Sequence, residues 1–336
     1  MCIRDSLKPE KVTSSEFGVE FSILDNKLNF DLSIYDITTT DLIFDVPVPA
    51  ATGFSFFKEN IGEVNNKGVE LNIGATLIDN ETLTWNSSIF YAKNENSLIS
   101  LTDGLDTVVY TTTNDGEASI RASVGGSLGE IYGTVWDTNA SGSKIVNAEG
   151  IPIASSPDKL LGNAQPDWLG GWSNSINYGD ISLSFLIDAR IGGQIFSSTS
   201  AALDDIGTSV RSLQYRENGV TLSDAINSGT SAANTAAISA QQYWGAMSGI
   251  AQNYIYDQDN IRLREFSIGY NLPNVESFGI QSAKIQLIGR NLFFLSKAAD
   301  DIDPESMLGT ALGGQGFQSN GIPTLRSIGM NLTLNF

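Results

Sequence analysis

The residues that could do chemistry in this chain are mostly carboxylates. The sequence has 38 Asp and Glu against 19 Lys and Arg, a net charge of −19, no His and a single Cys. Without His, the usual general base and the commonest transition-metal ligand are missing, and the lone Cys2 cannot form an internal disulfide. The acidity also argues against nucleic-acid binding. The sequence therefore predicts no catalytic residues, no metal site, no cofactor and no enzymatic activity.

The carboxylates could in principle form two kinds of site, a calcium site or the catalytic pair of a glycosidase. A run near the C-terminus, Asp300, Asp301, Asp303 and Glu305, could hold calcium, but its spacing lacks the central Gly of an EF-hand. Solvated surface is the favoured interpretation of this run. A glycosidase would need a defined carboxylate pair across a cleft, whereas an acidic chain contains many pairs by chance. The Gly-rich stretches, such as 313–316, lack the context of a phosphate or dinucleotide loop.

Other carboxylates lie inside segments that alternate apolar and polar residues. Asp31, Glu70 and Asp188 occupy polar positions in such segments, where a dry core would penalise them and a watery lumen would not. The last seven residues also alternate, and they end on Phe336. Each run is about ten residues long, which is what a tilted strand needs to cross a bilayer. The pattern predicts an all-β fold, an antiparallel transmembrane β-barrel.

Nine strands are predicted, and in chain order they are 16–24, 27–44, 67–78, 82–93, 170–178, 180–190, 260–271, 281–290 and 325–336. Short turns alternate with long connections, 45–66, 94–169, 191–259 and 294–324. Outer-membrane barrels show this alternation, with the short turns in the periplasm and the long loops outside. Most of the acidic excess falls in the long connections. Segment 197–242, rich in Ser, Ala and Thr, is predicted to be a mobile low-complexity loop.

Several features predict that further sequence precedes this chain in the native protein. Residues 1–6 carry no apolar signal-peptide core, and we expect them to be an artefactual start. The first and last predicted strands run in the same direction, so these nine alone could not close an antiparallel ring.

Aromatic residues lie at several predicted strand ends, which is typical of the interfacial girdles of membrane barrels. They are Trp85, Tyr91, Trp172, Tyr178 and Tyr270.

An ordered series of short motifs resembles one family over almost the whole length. The series comprises Leu7-Lys8-Pro9-Glu10, Glu16-Phe17-Gly18-Val19-Glu20, Asn60-Ile61-Gly62, Asn66-Lys67-Gly68-Val69-Glu70-Leu71, Leu161-Gly162-Asn163, Gln165-Pro166-Asp167-Trp168, Ile261-Arg262-Leu263-Arg264-Glu265, Gly269-Tyr270-Asn271-Leu272-Pro273, Gly289-Arg290-Asn291-Leu292 and Asp303-Pro304-Glu305. In this order they resemble the C-terminal part of the barrel of SusC/RagA-type TonB-dependent outer-membrane transporters of Bacteroidota.

The resemblance implies a large barrel that, in the whole protein, carries an N-terminal plug and a TonB-contacting segment. It implies a SusD-like surface lipoprotein as partner and oligosaccharide or peptide as cargo. Residues 7–336 would then be the C-terminal portion of the barrel, without the plug. Two alternatives stay open, a passive outer-membrane porin and a soluble β-sandwich binding module.

Candidate site residues fall into two groups. Loop aromatics that could stack on cargo are Tyr110, Tyr132, Trp136, Tyr243 and Trp244. The second group is structural, and its members are Gly62, Gly68, Gly162, Pro166, Asp167, Trp168, Arg262, Arg264, Glu265, Arg290, Asn291, Asp303, Pro304 and Glu305.

Physical roles can be assigned to some residues of the second group. Backbone freedom at Gly62 and Gly68 suits a loop re-entering a strand. Arg262 and Arg264 continue the phase of lipid-facing Phe266, so they could pair with loop carboxylates or with lipopolysaccharide phosphates.

Overall fold

The computed structural model describes residues 7–47, 51, 53, 54, 56–102, 104–273, 275 and 279–336. The predicted artefactual start, 1–6, lies outside these residues. Within them the chain forms twenty strands, and in chain order they are β1 Lys11–Ile23, β2 Leu28–Pro47, β3 Phe56–Asp79, β4 Leu83–Leu101, β5 Thr107–Thr112, β6 Ala118–Ser123, β7 Glu130–Gly133, β8 Ile145–Val146, β9 Lys159–Asn163, β10 Trp168–Tyr178, β11 Ile181–Ile191, β12 Gln194–Ser197, β13 Val220–Thr221, β14 Ile226–Asn227, β15 Ala237–Ile238, β16 Ile255–Asp257, β17 Asn260–Leu272, β18 Ser282–Lys297, β19 Phe317–Gln318 and β20 Ser327–Asn335.

Three short α-helices accompany the strands, α1 Ser198–Asp205, α2 Ala240–Ser248 and α3 Leu312–Gln315. Two 3-10 turns cover Arg211–Leu213 and Ala251–Tyr254. None of the helices in the described part of the chain is long and apolar enough to cross a bilayer.

One large sheet contains the nine strands that the alternation predicts. Its order is β1-β2-β3-β4-β10-β11-β17-β18-β20, and every neighbouring pair is antiparallel. Sequential antiparallel pairing is the topology of an up-and-down barrel wall. The short turns lie at one edge of the sheet and the long connections at the other, as predicted. The predicted fold class is therefore confirmed for this wall.

The two faces of this sheet differ in the way the alternation requires. The register places Asp31 beside Asn72, Asn72 beside Phe90, and Gly171 beside Asp188 on one face, which we call the polar face. The other face, the apolar face, leaves large side chains uncovered: Phe17 is 64% exposed, Ile328 77% and Met330 69%. A monomeric soluble protein rarely exposes so large a contiguous apolar surface, whereas lipid would cover it.

The long connections are not structureless, which corrects the prediction. β2 and β3 continue their pairing to Pro47 and Phe56, so most of the predicted loop 45–66 is strand. Connection 94–169 contains a four-stranded sheet, β5-β6-β7-β9. Connection 191–259 carries the first two helices, and 294–324 contributes α3 and β19. The buried apolar clusters lie in these connections; the largest includes Ile120, Phe196 and Tyr254.

Segment 197–242 is also folded, contrary to the predicted mobile loop. Ser197 caps α1 by accepting a hydrogen bond from the Ser200 N–H. Ser239 and Gln242 form a capping box at α2. Ser197 and Ser239 thus act as N-caps, a position that Ser side chains favour because their oxygen accepts a free backbone N–H of the first turn.

Candidate functional site

The polar face of the large sheet is the first part of the candidate site. On strands β1 to β4 it carries four carboxylates, and within residues 12–23, 28–39, 66–76 and 84–96 no Lys or Arg shares that face. These carboxylates are Glu16, Glu20, Asp31 and Glu70. Glu16 accepts a hydrogen bond from the Ser33 hydroxyl at 2.5 Å. Within these ranges the charged side chains on the polar face of β1 to β4 are therefore all negative.

Two aromatic rings interrupt this polar surface, and each packs closely against a glycine. The Tyr35 ring occupies the space that a Cβ on Gly68 would need, and the Phe90 ring does the same at Gly171. Neither glycine has a positive φ, so the predicted need for backbone freedom at Gly68 is wrong. Close approach of an aromatic ring is the reason for glycine there.

Close approach of an aromatic ring also explains Gly62. A Cβ at this position would lie 2.9 Å from Cε2 of Phe44, and its φ is not positive. Gly162 is confined by a side chain as well, because a Cβ would lie 2.9 Å from Oε1 of Gln194. That oxygen accepts the N–H of Asn163 at 3.0 Å.

Phe90 is an aromatic residue of the polar face that the sequence reasoning did not single out. It is 41% exposed on the polar face, in register with Asn72 on one side and Gly171 on the other. The signal was present in the sequence: Thr84, Asn86 and Ser88 set the polar phase of this strand, and Phe90 has the same phase.

An ion-pair network on the polar face joins the last long connection to the wall. Glu305 accepts from Arg262 at 2.7 Å and from Arg264 at 2.5 and 3.0 Å. Arg264 also contacts Asp188 at 2.6 Å. Arg262 is 3% exposed, and its guanidinium lies 4.4 Å from the Phe294 ring centroid. Pairing of both arginines with loop carboxylates, one of the two predicted alternatives, is therefore what the structure has.

The predicted phase of these arginines is wrong because of a β-bulge. The register on both neighbouring strands skips between Leu263 and Glu265, so Arg264 is the extra residue. A bulge changes the alternation by one position. Arg262 and Arg264 therefore lie on the polar face, although Phe266 lies on the apolar face. The alternative of lipopolysaccharide contact, which rested on that phase, loses its basis.

Further hydrogen bonds fix the segment around Glu305. Asp303 accepts the backbone N–H of Glu305 at 3.0 Å and of Thr324 at 2.8 Å. Burial alone would raise the pKa of Asp303, but the hydrogen bonds from Thr324 and Glu305 and the charge of Arg262 lower it overall. The Pro304 carbonyl accepts from the buried amide of Gln258 at 2.9 Å. Asp303 and Glu305 thus have protein partners in place of the calcium considered for this run.

The other structural candidates lie near this network. Arg290 pairs with Glu265 at 3.0 Å in an exposed position. Asn291 accepts from Arg264 at 3.0 Å and donates to the Leu325 carbonyl at 3.2 Å, so it connects β18 with the residues that precede β20.

The motif that precedes β10 also has defined positions. The Trp168 ring lies 5.7 Å from the Tyr91 ring. Pro166 and Trp168 line the same cleft. The backbone N–H of Asp167 donates to Ile191 O at 2.8 Å.

The five loop aromatics divide between two places. Trp136, Tyr243 and Trp244 meet around α2, where the Tyr243 and Trp244 rings are 5.0 Å apart and Trp244 is 8% exposed. Tyr110 and Tyr132 belong to the four-stranded loop sheet. Burial raises the pKa of Tyr110 to about 12, and Tyr132 packs against the Arg121 guanidinium at 4.8 Å. Packing within the loops therefore engages all five rings.

A buried charge cluster holds the loop helices together and was not predicted. Asp204 is fully buried and accepts from Arg211 at 2.7 Å, Tyr254 at 3.0 Å and Ser209 at 2.5 Å. Burial and the Asp204 charge raise the pKa of Tyr254. No sequence pattern marks this cluster, because its members are as much as 50 residues apart.

Comparison with known proteins gives a consistent picture. Residues 4–225 match the family described as TonB dependent receptor-like, beta-barrel. TonB-dependent receptor P3 of Formosa agariphila is 27% identical over 86% of this chain and 30% of its own length. TonB-dependent receptor SusC of Bacteroides thetaiotaomicron is 23% identical over 99% of this chain and 32% of its own. The chain thus spans about a third of the length of these relatives.

Solved structures share the fold. The RagAB peptide importer in its closed-closed state superposes with a TM-score of 0.71, at 20% identity, over 97% of this chain and 35% of that one. The RagAB peptide transporter gives 0.70 over the same shares. At this identity the likeness concerns the fold of the wall and its connections.

Proposed function

Because the chain belongs to the TonB dependent receptor-like β-barrel family, we propose that it forms part of the wall of an outer-membrane nutrient importer. Members of this family are receptors and transporters, not enzymes. In the proposal, energy reaches the importer through TonB, and a SusD-like surface lipoprotein covers its outer opening. The cargo is an oligosaccharide or a peptide.

One observation carries the proposal, the pairing of an uncovered apolar face with a charged polar face on a single sheet. Lipid would cover Ile328 and Met330 on the first face. Water and cargo would meet Asp31 and Glu70 on the second. The connection that carries Glu305 folds back onto the polar face, so it narrows the passage. The family match, rather than this contact, favours an importer over a passive porin.

The test uses the gene in the bacterium that carries it. We expect deletion of the gene to abolish growth on one class of polymeric nutrient, and deletion of tonB to have the same effect. An affinity-tagged full-length protein should co-purify a surface lipoprotein from detergent-solubilised outer membranes. Uptake that continues without TonB would instead indicate a passive porin, and recovery of the protein from the aqueous fraction would refute the membrane assignment.

A further inference from the structure

We propose that a lipid of the outer leaflet binds the apolar face of the wall, at the level where this face meets the long connections. The site consists of Asp36, Lys67, Lys93 and Glu95. Its occupant is a headgroup that joins a phosphate to a primary amine, as phosphoethanolamine does. The proposal rests on the membrane location proposed above, and it does not depend on what the wall transports.

The first argument is the position of these charges on the sheet. The register pairs Asp36 with Lys67, and Lys67 with Glu95, so these three residues lie in one row across β2, β3 and β4. Lys93 has the same phase as Glu95 and lies two positions nearer the short turns. Its partner in the register is Val69, which belongs to the apolar face. All four positions are therefore on the face that lipid would cover, not on the polar face.

These four are also the only charged residues on this part of the apolar face. Below the row, the apolar-face positions carry no charge within residues 17–23, 28–34, 69–75 and 83–91. Directly above the row, the same face carries neutral polar residues, namely Thr13, Ser15, Thr38, Asn65 and Ser97. The charges are thus confined to one level of the wall.

The second argument is the height of that level. Lys93 lies ten residues beyond Leu83, the first residue of β4 after a short turn. At about 3.4 Å per residue and a strand tilt of about 40°, this places it roughly 26 Å from the short-turn edge of the sheet. The apolar band of membrane barrels is about 25 Å tall. The row therefore lies where the acyl chains of the outer leaflet end and the headgroups begin.

The third argument is a groove of about 520 Å³ at this level. The four charged residues line it together with Ser15, Phe17, Ile34 and Val69. The remaining lining residues have the phase of the polar face, and they are Glu16, Tyr35 and Gly68. The Glu16 carboxylate accepts from Ser33 on that face. The groove thus combines a charged part with an apolar part, as the boundary between a headgroup and its acyl chains requires.

The fourth argument is the balance of charge in the groove. Lys67 lies 3.5 Å from Asp36, and Lys93 lies 2.7 Å from Glu95. Asp36 also accepts from the Asn65 amide at 2.6 Å. All four charged side chains are at least 41% exposed, and ion pairs this exposed are weak and easily exchanged. Two cations and two carboxylates give no net charge, which favours a zwitterionic headgroup over a bare phosphate.

The spacing of the charges fits such a headgroup. Lys67 and Lys93 are diagonal neighbours on adjacent strands, about 7–8 Å apart, a distance that long side chains span. Both ammonium groups can therefore converge on one phosphate. Lys67 and Glu95 are directly opposite each other, with Cβ atoms about 4.5–5.5 Å apart. Because only four bonds separate phosphorus from nitrogen in phosphoethanolamine, the amine can reach this carboxylate while the lysines hold the phosphate.

Native mass spectrometry of the full-length protein in detergent tests the site, because it counts bound lipids individually. The probes form two matched pairs. The first pair is lipid A with and without phosphoethanolamine, and the second is phosphatidylethanolamine and phosphatidylglycerol with identical acyl chains. Within each pair, the lipids differ in the amine of the headgroup, which is the feature that the proposal concerns.

The variants remove one charge at a time. Lys67→Gln and Lys93→Gln are made separately, so that either lysine tests the site if the other variant fails to fold, and Glu95→Gln tests the carboxylate. Lys144→Gln is the matched control, because Lys144 also forms an exposed ion pair, with Asp224 at 3.4 Å, but in the connections rather than on the wall. A heat-modifiability gel shift checks that each variant is folded.

We expect one molecule of each amine-bearing lipid to bind more tightly than its partner without the amine. Lys67→Gln and Lys93→Gln should each raise the Kd of the amine-bearing lipids about 2- to 5-fold, the effect of one exposed charge pair. Lys144→Gln should leave this Kd unchanged. Glu95→Gln should lower the preference for the amine by a similar factor, because the carboxylate that receives the amine is lost.

Three results would overturn the proposal. Equal or tighter binding of the lipids without the amine overturns the zwitterionic headgroup and indicates an anion site. Preference for phosphatidylethanolamine without preference for the modified lipid A overturns the outer-leaflet occupant. Equal effects of Lys67→Gln and Lys144→Gln, or no discrete lipid adduct, overturn the site itself.

The outcomes separate this proposal from the importer function. TonB-dependent uptake by a protein without any headgroup preference would overturn the lipid site and leave the importer standing. A headgroup preference that depends on Lys67 and Lys93, without any TonB-dependent uptake, would do the reverse.

Discussion

Replacing Glu305 by Gln should release the last long connection from the wall. The carboxylate neutralises Arg262, which is 3% exposed, and shares Arg264 with Asp188. Removing one partner of a fully buried ion pair costs about 3–5 kcal/mol. Here the side chains of Glu305 and Arg264 are 23% and 28% exposed. Arg264 would still pair with Asp188 after the substitution. We therefore expect a loss of about 2–3 kcal/mol, chiefly through Arg262.

The lost free energy is that of a local opening of the last long connection. It is not that of global unfolding, because the strands of the wall keep their own hydrogen bonds. Hydrogen exchange of the full-length protein therefore measures it best. The reporters are the amides of Ser306, Leu308 and Thr324, which donate to Asp303 O, Phe317 O and Asp303 Oδ2. A loss of about 2–3 kcal/mol should speed their exchange about 30- to 150-fold, at 1.36 kcal/mol per factor of ten.

Glu265→Gln is the matched control for this experiment. It also removes a carboxylate from an Arg pair, but the side chain of Arg290 is 63% exposed and that of Glu265 is 40% exposed. Exposed pairs contribute about 0–1 kcal/mol, so exchange at the reporter amides should change little. Unchanged protection in Glu305→Gln, or equal acceleration in both variants, would refute the argument that burial of Arg262 makes Glu305 necessary.

Three further predictions follow from the geometry. Gly68→Ala should lower the denaturant midpoint of the folded barrel, because the new Cβ overlaps the Tyr35 ring. The double variant with Tyr35→Ala should recover part of this lost stability. Additive losses in the double variant would contradict the prediction. The pKa of Asp303 is lowered in the folded state. The Asp303 carboxylate therefore stabilises the folded connection fully above its unfolded pKa near 3.9, and this contribution disappears as the pH falls through the folded pKa. Hydrogen exchange of the connection should lose this pH dependence in Asp303→Asn. Tyr110 should ionise only near its pKa of about 12, so a difference titration at 295 nm against Tyr110→Phe should show no ionisation of this residue at pH 10.

The strands of the wall could be predicted because their information is local. A strand between lipid and water must alternate, and the alternation is visible without knowledge of any neighbour. Hence all nine strands were found, with ends off by up to three residues except where β1, β3, β4 and β18 extend further. The bulge at Arg264 could not be found in this way, because it is defined by pairing with β11 and β18 rather than by composition.

The connections were misjudged for the opposite reason. Their order depends on contacts between distant segments, such as Phe196 with Phe317 across two connections and Asp204 with Tyr254. Small polar residues in 197–242 carry no periodic signal, although several of them cap helices or lie buried. Composition alone cannot separate a flexible Ser-rich loop from one whose hydroxyls are used in caps.

The aromatic residues of the connections and of the wall differ in how they are packed. The sequence favoured the loop aromatics because long loops usually carry function. In the folded chain, Trp244 and Tyr110 pack in the apolar cores of the connections. Phe90 stays 41% exposed on the polar face, where its ring covers Gly171. An aromatic ring at a polar position opposite a glycine of the neighbouring strand therefore identifies a close cross-strand contact, as Tyr35 with Gly68 and Phe90 with Gly171 demonstrate.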